Sequence, residues 1–306
     1  MRSRKRARVV TTKFHKLTRE LDAAKERGDR DAIRSLEREI DDMGGREEYQ
    51  RASQLSTSFH STSKWVLGYL AGKQHWIRGI PVDDHDAAGT SSTTTTRKNE
   101  TKKKKQRTVP TTRKRPVRLM EVGAINTELL DAAAQNEKLV VRAIDLHSMH
   151  EGIETADFLS VPLSSPKLDV IVCSMVINCV TTPEKRGEML ARLLHHLRPG
   201  GLCFLTLPKL CLTQSPFVTK DTFQKLLASG GVGFEIVDTK ESPKVSFFVL
   251  KRPETTDPST TESQSTPDST FNSKWKKLAT IQRGKKFRNQ FGVVLSEEQV
   301  SGRCFP

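Results

Sequence analysis

The spacing of apolar positions changes along the chain, and each spacing predicts a different kind of structure. In the N-terminal part, apolar side chains recur every three or four positions, as in amphipathic helices. Two stripes have this spacing: Phe14, Leu17, Leu21 and Ala24, then Ile33, Leu36, Ile40 and Met43. Gly28 separates the stripes, Asp29 can cap the second helix, and Gly44-Gly45 ends it. The sequence therefore predicts an N-terminal helical hairpin within a helical region covering residues 12–80.

From Val117 onwards, short apolar runs alternate with helical segments. Strands are predicted at VRLMEV, KLVVRAIDL, ADFLSVP, KLDVIVCSMVIN, GGLCFLTLP, FEIVDT and VSFFVLKR. Most of these runs are nearly continuous in apolar residues, as in parallel strands that are buried on both faces. The last two runs are joined by a short polar connection and are expected to form an antiparallel edge pair. The predicted fold class is α/β, with a Rossmann-like, mostly parallel sheet in a domain covering residues 117–252.

Polar segments surround this domain. Residues 81–116 and 253–272 contain almost no large apolar side chain, and we predict a disordered basic insertion and a disordered linker there. The basic leader, residues 1–11, is also predicted to be disordered. The basic tail, residues 273–306, has apolar positions on both sides of Arg283-Gly284, which predicts a hairpin of two short strands.

The net charge of +15 is unevenly distributed. Residues 117–250 contain 13 Lys and Arg against 15 Asp and Glu, whereas residues 1–116 contain 28 against 15 and residues 251–306 contain 10 against 6. A nearly neutral centre between basic arms is typical of a protein that binds a polyanion and whose chemistry lies in the centre. The alternative is a solvated charged surface.

The cysteines and the first residues indicate a cellular compartment. The five cysteines form no C-x-x-C pair, and most lie in apolar runs, which predicts reduced, buried thiols. We find neither a run of about 20 apolar residues nor an apolar signal core, so no membrane partner is expected. The opening "RSRKRAR" is typical of a nuclear import signal, although an RNA-contacting arm would look the same.

The stretch "VRLMEVGAINTELLD" predicts a strand, a turn at Gly123 and a helix. Asp145 ends the next predicted strand, 22 residues after Gly123, at a spacing suited to ribose hydroxyls. A pyrophosphate cradle needs several glycines, and this turn has one, so a cofactor without phosphates fits better. S-adenosylmethionine is such a cofactor, with Asp157 and Phe158 placed to contact its adenine. An ordinary strand–helix junction remains the alternative.

The ordered set of motifs resembles the class I S-adenosylmethionine-dependent methyltransferases. Within that class, four segments resemble the fungal 25S ribosomal RNA adenine-N(1) methyltransferase family: "GGREEYQRAS" (44–53), "MEVGAIN" (120–126), "AIDLHS" (143–148) and "DVIVCSMVINCVTTPEKRGEMLARLLHHLRPGGLCFLTLP" (169–208). The chain departs from the class in its first loop, which has a single glycine.

The resemblance implies methyl transfer from S-adenosylmethionine, without a metal, to N1 of an adenine in large-subunit ribosomal RNA, in the nucleolus of the nucleus. The implied partner is this RNA or the pre-ribosome, and nothing demands more than a monomer. Implied cofactor-binding residues are Gly123 at the methionine end, Glu121 ordering the loop, Asp145 on the ribose, and Asp157 with Phe158 on the adenine. Asn178, and secondarily Ser174, would steer the target base.

Two interpretations stay open for the aromatic residues between the hairpin and the insertion. Tyr49, Phe59, His60, Trp65 and Trp76 would either stack on RNA bases or pack the helices onto the domain. Two other functions are also compatible with the sequence. One is a non-catalytic RNA-binding ribosome-assembly factor, and the other is a methyltransferase acting on protein or a small molecule.

Overall fold

The computed structural model describes residues 4–57, 62–72, 80–81, 114–148, 150–254, 271–282 and 287–305. The α-helices in these ranges are α1 (Arg4–Arg27), α2 (Arg30–Asp42), α3 (Gly45–Thr57), α4 (Thr62–Gly72), α5 (Glu128–Ala134), α6 (Pro183–His196), α7 (Leu210–Thr213), α8 (Lys220–Leu227) and α9 (Glu297–Ser301). The strands are β1 (Ile80–Pro81), β2 (Lys114–Arg115), β3 (Val117–Val122), β4 (Leu139–Asp145), β5 (Glu154–Thr155), β6 (Leu168–Ser174), β7 (Leu197–Pro208), β8 (Glu235–Glu241) and β9 (Val245–Lys251). None of the helices within these ranges is both long enough and apolar enough to span a bilayer.

A seven-stranded sheet forms the centre of the molecule, in the order β5-β4-β3-β6-β7-β9-β8. The first five strands in this order run parallel, whereas β9 is antiparallel to both β7 and β8. Strands β6 and β9 are buried along almost their whole length. The structure confirms the predicted α/β fold, with a mostly parallel sheet and an antiparallel edge pair.

Helices cover both faces of the sheet. On one face, Val66 and Leu70 of α4 are buried against β3, β6 and β7. The Trp65 ring meets Phe204 and Phe247 edge-on, each with ring centroids 5.1 Å apart. On the other face, apolar side chains of α6 and α8 fill the larger core. Trp65 therefore packs the helix onto the sheet, as one of the two interpretations of the aromatic residues predicted.

The predicted N-terminal helical hairpin is confirmed as α1 and α2, and α3 packs beside them. The stripe of α1 is buried, whereas the stripe of α2 is only half-buried. Asp29 caps α2 as predicted, because its carboxylate accepts the Ala32 N–H at 3.0 Å. Tyr49 of α3 stacks on Phe14 of α1 with ring centroids 4.3 Å apart. Phe59, His60 and Trp76 lie outside the described residues.

The predicted disorder of the leader is wrong from Arg4 onwards, because α1 begins there. Ala7 is fully buried and lies seven residues before Phe14, so it continues the apolar stripe by two helical turns. A single small apolar residue among arginines and lysines gave too weak a pattern to predict this extension.

The described residues of the tail contain no strand, and the turn of the predicted hairpin, Arg283-Gly284, lies outside them. A 3₁₀ helix covers Ser273–Lys276, and the chain at Phe291, Val293 and Leu295 is buried against the core without a strand partner. Its Val294 N–H donates to the Pro183 carbonyl at 3.0 Å. The tail therefore packs onto α6, where Gly187 leaves room for the Val294 carbonyl.

The predicted insertion and linker fall mostly outside the described residues, which do not include 82–113 or 255–270. At the end of the first of these ranges, the backbone of Lys114–Arg115 pairs with Ile80–Pro81 as a two-stranded antiparallel ladder. The last three residues of the predicted insertion, 114–116, are therefore described.

A buried ion cluster fixes the amino-terminal edge of the parallel strands. Asp169 of β6 is completely buried and accepts hydrogen bonds from Arg115 and Arg198 at 2.6–2.8 Å and from the Arg118 N–H at 2.8 Å. Burial alone would raise the pKa of Asp169, but these donors outweigh it and hold the pKa below its ordinary value. The Arg-Pro-Gly-Gly segment at the start of β7 therefore stabilises this amino-terminal edge of the sheet and does not lie at the carboxyl ends of the parallel strands.

Candidate active site

A cavity of about 1390 Å³ lies at the carboxyl ends of β3, β4 and β6. This is the edge of an open α/β sheet at which ligands usually bind. The sheet side is lined by Glu121, Gly123, Asp145, Asp157, Phe158, Ser174 and Met175, among others. Helices α1 and α3 form a roof over the cavity and contribute Arg8, Phe14, His15, Arg46, Tyr49 and Gln50.

The turn after β3 depends on the single glycine. Gly123 has φ +73°, and a Cβ added there would lie 2.3 Å from Val176 Cγ2. Its N–H donates to the Ile144 carbonyl at 2.8 Å, so this donor is already engaged. Gly123 therefore allows the turn after β3 to approach the loop after β6. In that loop Met175 also adopts a left-handed conformation, with φ +60°, which is a strained backbone of the kind found at functional sites.

Glu121, the last acidic residue of β3, is 8% exposed, and its Oε2 has no hydrogen-bond partner among the described residues. Burial, assisted by the nearby Glu128 carboxylate, raises the pKa of Glu121 to about 7. A buried carboxylate with an unsatisfied oxygen is costly unless a cation or donor meets it. Glu121 is therefore suited to a positively charged or hydrogen-bond-donating ligand group.

Asp145 ends β4 beside the Gly123 turn, and its Oδ1 accepts the His147 N–H at 2.9 Å. Burial raises the pKa of Asp145, while the His147 N–H and the charge of Arg46 oppose the shift. The position at the end of the second parallel strand agrees with the predicted ribose contact, which stays a prediction.

Asp157 and Phe158 follow the short β5 and also line the cavity. The Asp157 carboxylate accepts the Leu159 N–H at 2.9 Å, which shapes the turn. Phe158 is buried and packs on the His196 ring with centroids 5.0 Å apart. Burial, together with nearby cations such as Lys167, lowers the pKa of His196 to about 3, so this ring is neutral at physiological pH. Phe158 thus belongs to the core and presents only part of its side chain to the cavity.

The two residues predicted to steer a target base are placed differently. Ser174 lines the cavity, and its hydroxyl hydrogen-bonds Thr62 at 2.7 Å and Thr206 at 2.9 Å. Asn178 does not line the cavity, and its amide donates to Cys179 Sγ at 3.3 Å. β6 ends at Ser174, four residues before the end of the predicted strand, and the contact of Asn178 with a target base stays a prediction.

The roof meets the loop after β6 through a small polar cluster. The Tyr49 hydroxyl lies 3.5 Å from His15 Nε2 and 4.0 Å from Cys179 Sγ. Burial, with Arg19 and Arg46 nearby, lowers the pKa of His15 to about 4, and burial raises the pKa of Cys179 to about 11. All three groups are therefore neutral near pH 7. A second contact joins the Gln50 amide to the His147 carbonyl.

The prediction of site residues from the sequence missed the roof. Arg46, His15 and Tyr49 lie on helices that were expected to contact RNA or to pack, and none of the three was predicted as a cofactor-binding residue, although they line the same cavity as Asp145. The segment "GGREEYQRAS" was the sequence signal that could have predicted this part of the site, because it contains both Arg46 and Tyr49.

The sheet has seven strands, is mostly parallel and has acidic side chains at the carboxyl ends of β3 and β4. This strand order and these acidic residues define a class I methyltransferase fold. The model of the family "Bmt2: 25S rRNA (adenine(2142)-N(1))-methyltransferase" matches residues 81–293, and the chain belongs to this family.

Two curated relatives match over shorter ranges. The 25S rRNA (adenine(2142)-N(1))-methyltransferase of Saccharomyces cerevisiae is 33% identical over 135 residues, which is 43% of this chain and 39% of that protein. The 25S rRNA adenine-N(1) methyltransferase of Schizosaccharomyces pombe is 28% identical over 141 residues, 44% of this chain and 50% of that protein. The matched part is thus half or less of each relative's length.

Solved structures show a more distant likeness. A 1,6-didemethyltoxoflavin-N1-methyltransferase from Burkholderia thailandensis has a TM-score of 0.36 and 15% identity, covering 46% of this chain and 72% of that one. An S-adenosylmethionine-dependent methyltransferase from Mesorhizobium loti has the same score and identity, covering 45% and 92%.

Proposed function

We propose that this chain methylates N1 of an adenine in 25S ribosomal RNA, with S-adenosylmethionine as the methyl donor. The observation that carries the proposal is the family match over residues 81–293, which includes every strand that borders the cavity. The two curated relatives are named for this same activity. The basic arms on both sides of a nearly neutral domain support a polyanionic substrate.

The residues of the cleft fit S-adenosylmethionine. We assign the ribose hydroxyls to the carboxylate of Asp145, which lines the cavity, and the ammonium group to the unsatisfied oxygen of Glu121. The turn has one glycine whose N–H is engaged, which suits a cofactor without a pyrophosphate. When bound, this cofactor supplies an electrophilic methyl group on a sulfonium.

The neutral groups around the cavity agree with methylation of a ring nitrogen. Adenine N1 already carries a lone pair, so the reaction needs no strong base. His15, with its low pKa, and Cys179, with its high pKa, are poor candidates for proton transfer near neutrality. The contribution of the protein is to hold N1 in line with the methyl group and to exclude water. We assign the hydrogen bond to an adenine edge to Ser174, which lines the cavity.

The target adenine must leave its base pair or stack to expose N1. Lys185, Lys209 and Lys244 also line the cavity, and Arg8 lies on the roof. We assign phosphate contacts to these cations, because RNA binding draws much of its affinity from the backbone. The proposed place of action is the nucleolus, and a fluorescent fusion that stays outside it would contradict this part.

A reconstituted reaction tests the function. We would incubate the full chain and S-adenosylmethionine with 25S rRNA from a yeast strain lacking its own relative. N1 methylation blocks Watson–Crick pairing, so one new reverse-transcription stop is expected. Asp145→Ala should reduce the stop, and exposed Asp131→Ala should not. The contrary outcome is a protein that binds S-adenosylmethionine and binds rRNA in a salt-sensitive way, but produces no new stop. That result would favour the non-catalytic assembly factor.

A further inference from the structure

Arg46 is a cation of the cavity whose donors are not used. Its guanidinium lies 5.9 Å from the centre of the Phe14 ring, which holds the side chain against α1. Its Nε is buried without a hydrogen-bond partner, and among the described residues the side chain forms no ion pair within 4.0 Å. Leaving a buried donor of an arginine unsatisfied is costly, so the position is suited to an anionic ligand.

The charges around Arg46 define which anion fits. Burial lowers the pKa of Arg46, and the carboxylate of Asp145 counteracts this, so the two charges lie near each other without pairing. Glu121, with an unsatisfied oxygen, lines the same cavity. A ligand carrying both an ammonium and a carboxylate would satisfy the acidic and the basic groups together. A phosphate would satisfy only Arg46 and would be repelled by the two acidic side chains.

We infer that Arg46 binds the carboxylate at the amino-acid end of S-adenosylmethionine, so that the N-terminal helices complete the cofactor site. The inference rests on the proposed function, because it assigns one contact to the proposed cofactor. It also gives the roof a role beyond RNA contact or packing. Arginine suits the role because its planar fork can bind a carboxylate through two parallel hydrogen bonds.

A pair of neutral thioethers isolates this contact. S-adenosylhomocysteine carries the amino-acid end, and 5′-methylthioadenosine has the same nucleoside without it. We would titrate both by calorimetry into the full chain and into Arg46→Met, which keeps an unbranched side chain without the charge. The matched control is Arg51→Met, because Arg51 is an exposed arginine on the same helix, paired with Glu47 and Glu48.

In Arg46→Met, the affinity for S-adenosylhomocysteine should fall roughly ten- to a hundredfold, the range expected for charge-assisted hydrogen bonds. The affinity for 5′-methylthioadenosine should be unchanged, and Arg51→Met should resemble the wild type for both ligands. Arg46→Lys should lose less affinity for S-adenosylhomocysteine than Arg46→Met, because it keeps the positive charge but not the planar guanidinium group.

Other outcomes overturn the inference in distinguishable ways. Equal weakening of both ligands by Arg46→Met would assign Arg46 to holding the roof in place. Unchanged binding of both, with weaker rRNA binding, would assign Arg46 to a phosphate. In either case, binding by the wild type would leave the proposed cofactor site intact. A folded wild type that binds neither ligand would overturn the cofactor site and the inference together.

Discussion

The sheet domain and the roof of α1 and α3 face the same cavity but are held in place by different forces. Strands β6 and β9 are buried along nearly their whole length, whereas α2, which packs beside the roof, has no buried residue. The roof meets the domain through few polar groups, including Tyr49 with Cys179 and Gln50 with His147. Substitutions in the sheet outside the cavity lining should therefore affect the free energy of unfolding, and substitutions in the roof should mainly affect ligand affinity.

The largest effect on the free energy of unfolding should come from the buried ion cluster at the amino-terminal edge of the parallel strands. Asp169→Ala leaves Arg115 and Arg198 without the carboxylate that both contact, and should lower the free energy of unfolding by about 3–5 kcal/mol. Urea denaturation measures this change. The control is Glu154→Gln, because Glu154 forms an exposed pair with Arg142 and should cost at most about 1 kcal/mol. Equal losses in both variants would contradict the role assigned to Asp169.

Glu121 should make stability depend on pH. Below pH 4.5, Glu121 is protonated in both the folded and the unfolded protein. Between pH 4.5 and 7, Glu121 loses its proton only in the unfolded protein, because burial raises its pKa in the folded protein. Relative to Glu121→Gln, the wild type should therefore lose about 3 kcal/mol of stability as pH rises from 4.5 to 7, and none beyond. Unfolding midpoints of both proteins across this range test the difference. A flat difference would mean that Glu121 is ionised throughout.

Asp145 should affect the cofactor and not the fold. Asp145→Ala removes the proposed acceptor for the ribose hydroxyls and should weaken S-adenosylmethionine binding by about 1–3 kcal/mol. Calorimetric titration measures the affinity, and the denaturation curve should change little. Asp131→Ala, at an exposed position of α5, serves as the control. Unchanged affinity in Asp145→Ala would move the ribose contact elsewhere.

The smallest effect on stability should come from the contact between the roof and the sheet domain. Tyr49→Phe keeps the stacking on Phe14 but removes the hydroxyl near His15 and Cys179, and should cost about 1 kcal/mol or less. Hydrogen exchange should increase in α1 and α3 while the central strands stay protected. Faster exchange in β6 as well would show that the roof and the sheet open as one unit.

The local elements of the fold could be predicted because their signals are local. Continuous apolar runs predicted the strands, and Asp29 after Gly28 predicted the start of α2, where the Asp29 carboxylate accepts the Ala32 N–H at 3.0 Å. Asp145 was found because the end of a strand and its spacing from Gly123 are visible in the sequence. Helix capping and strand burial act over a few residues, so a single sequence suffices to predict them.

Contacts between distant segments could not be predicted in the same way. The tail was expected to pair with itself, but it packs on α6 because Gly187 opens a space there. The strand before Asn178 was expected to continue to that residue, but β6 ends at Ser174, and Asn178 is not among the described residues that line the cavity. Such outcomes depend on which surfaces are available after the sheet has formed.

The sequence by itself determined the α/β domain, the N-terminal helices, the acidic residues at the strand ends and the basic arms, because periodicity, capping and charge are properties of the chain. Only the tertiary structure decided that α1 and α3 cover the cleft, and that Arg46 shares one cavity with Glu121 and Asp145. The physical reason is that this proximity arises from packing between segments about 75 to 100 positions apart, for which no local pattern carries a signal.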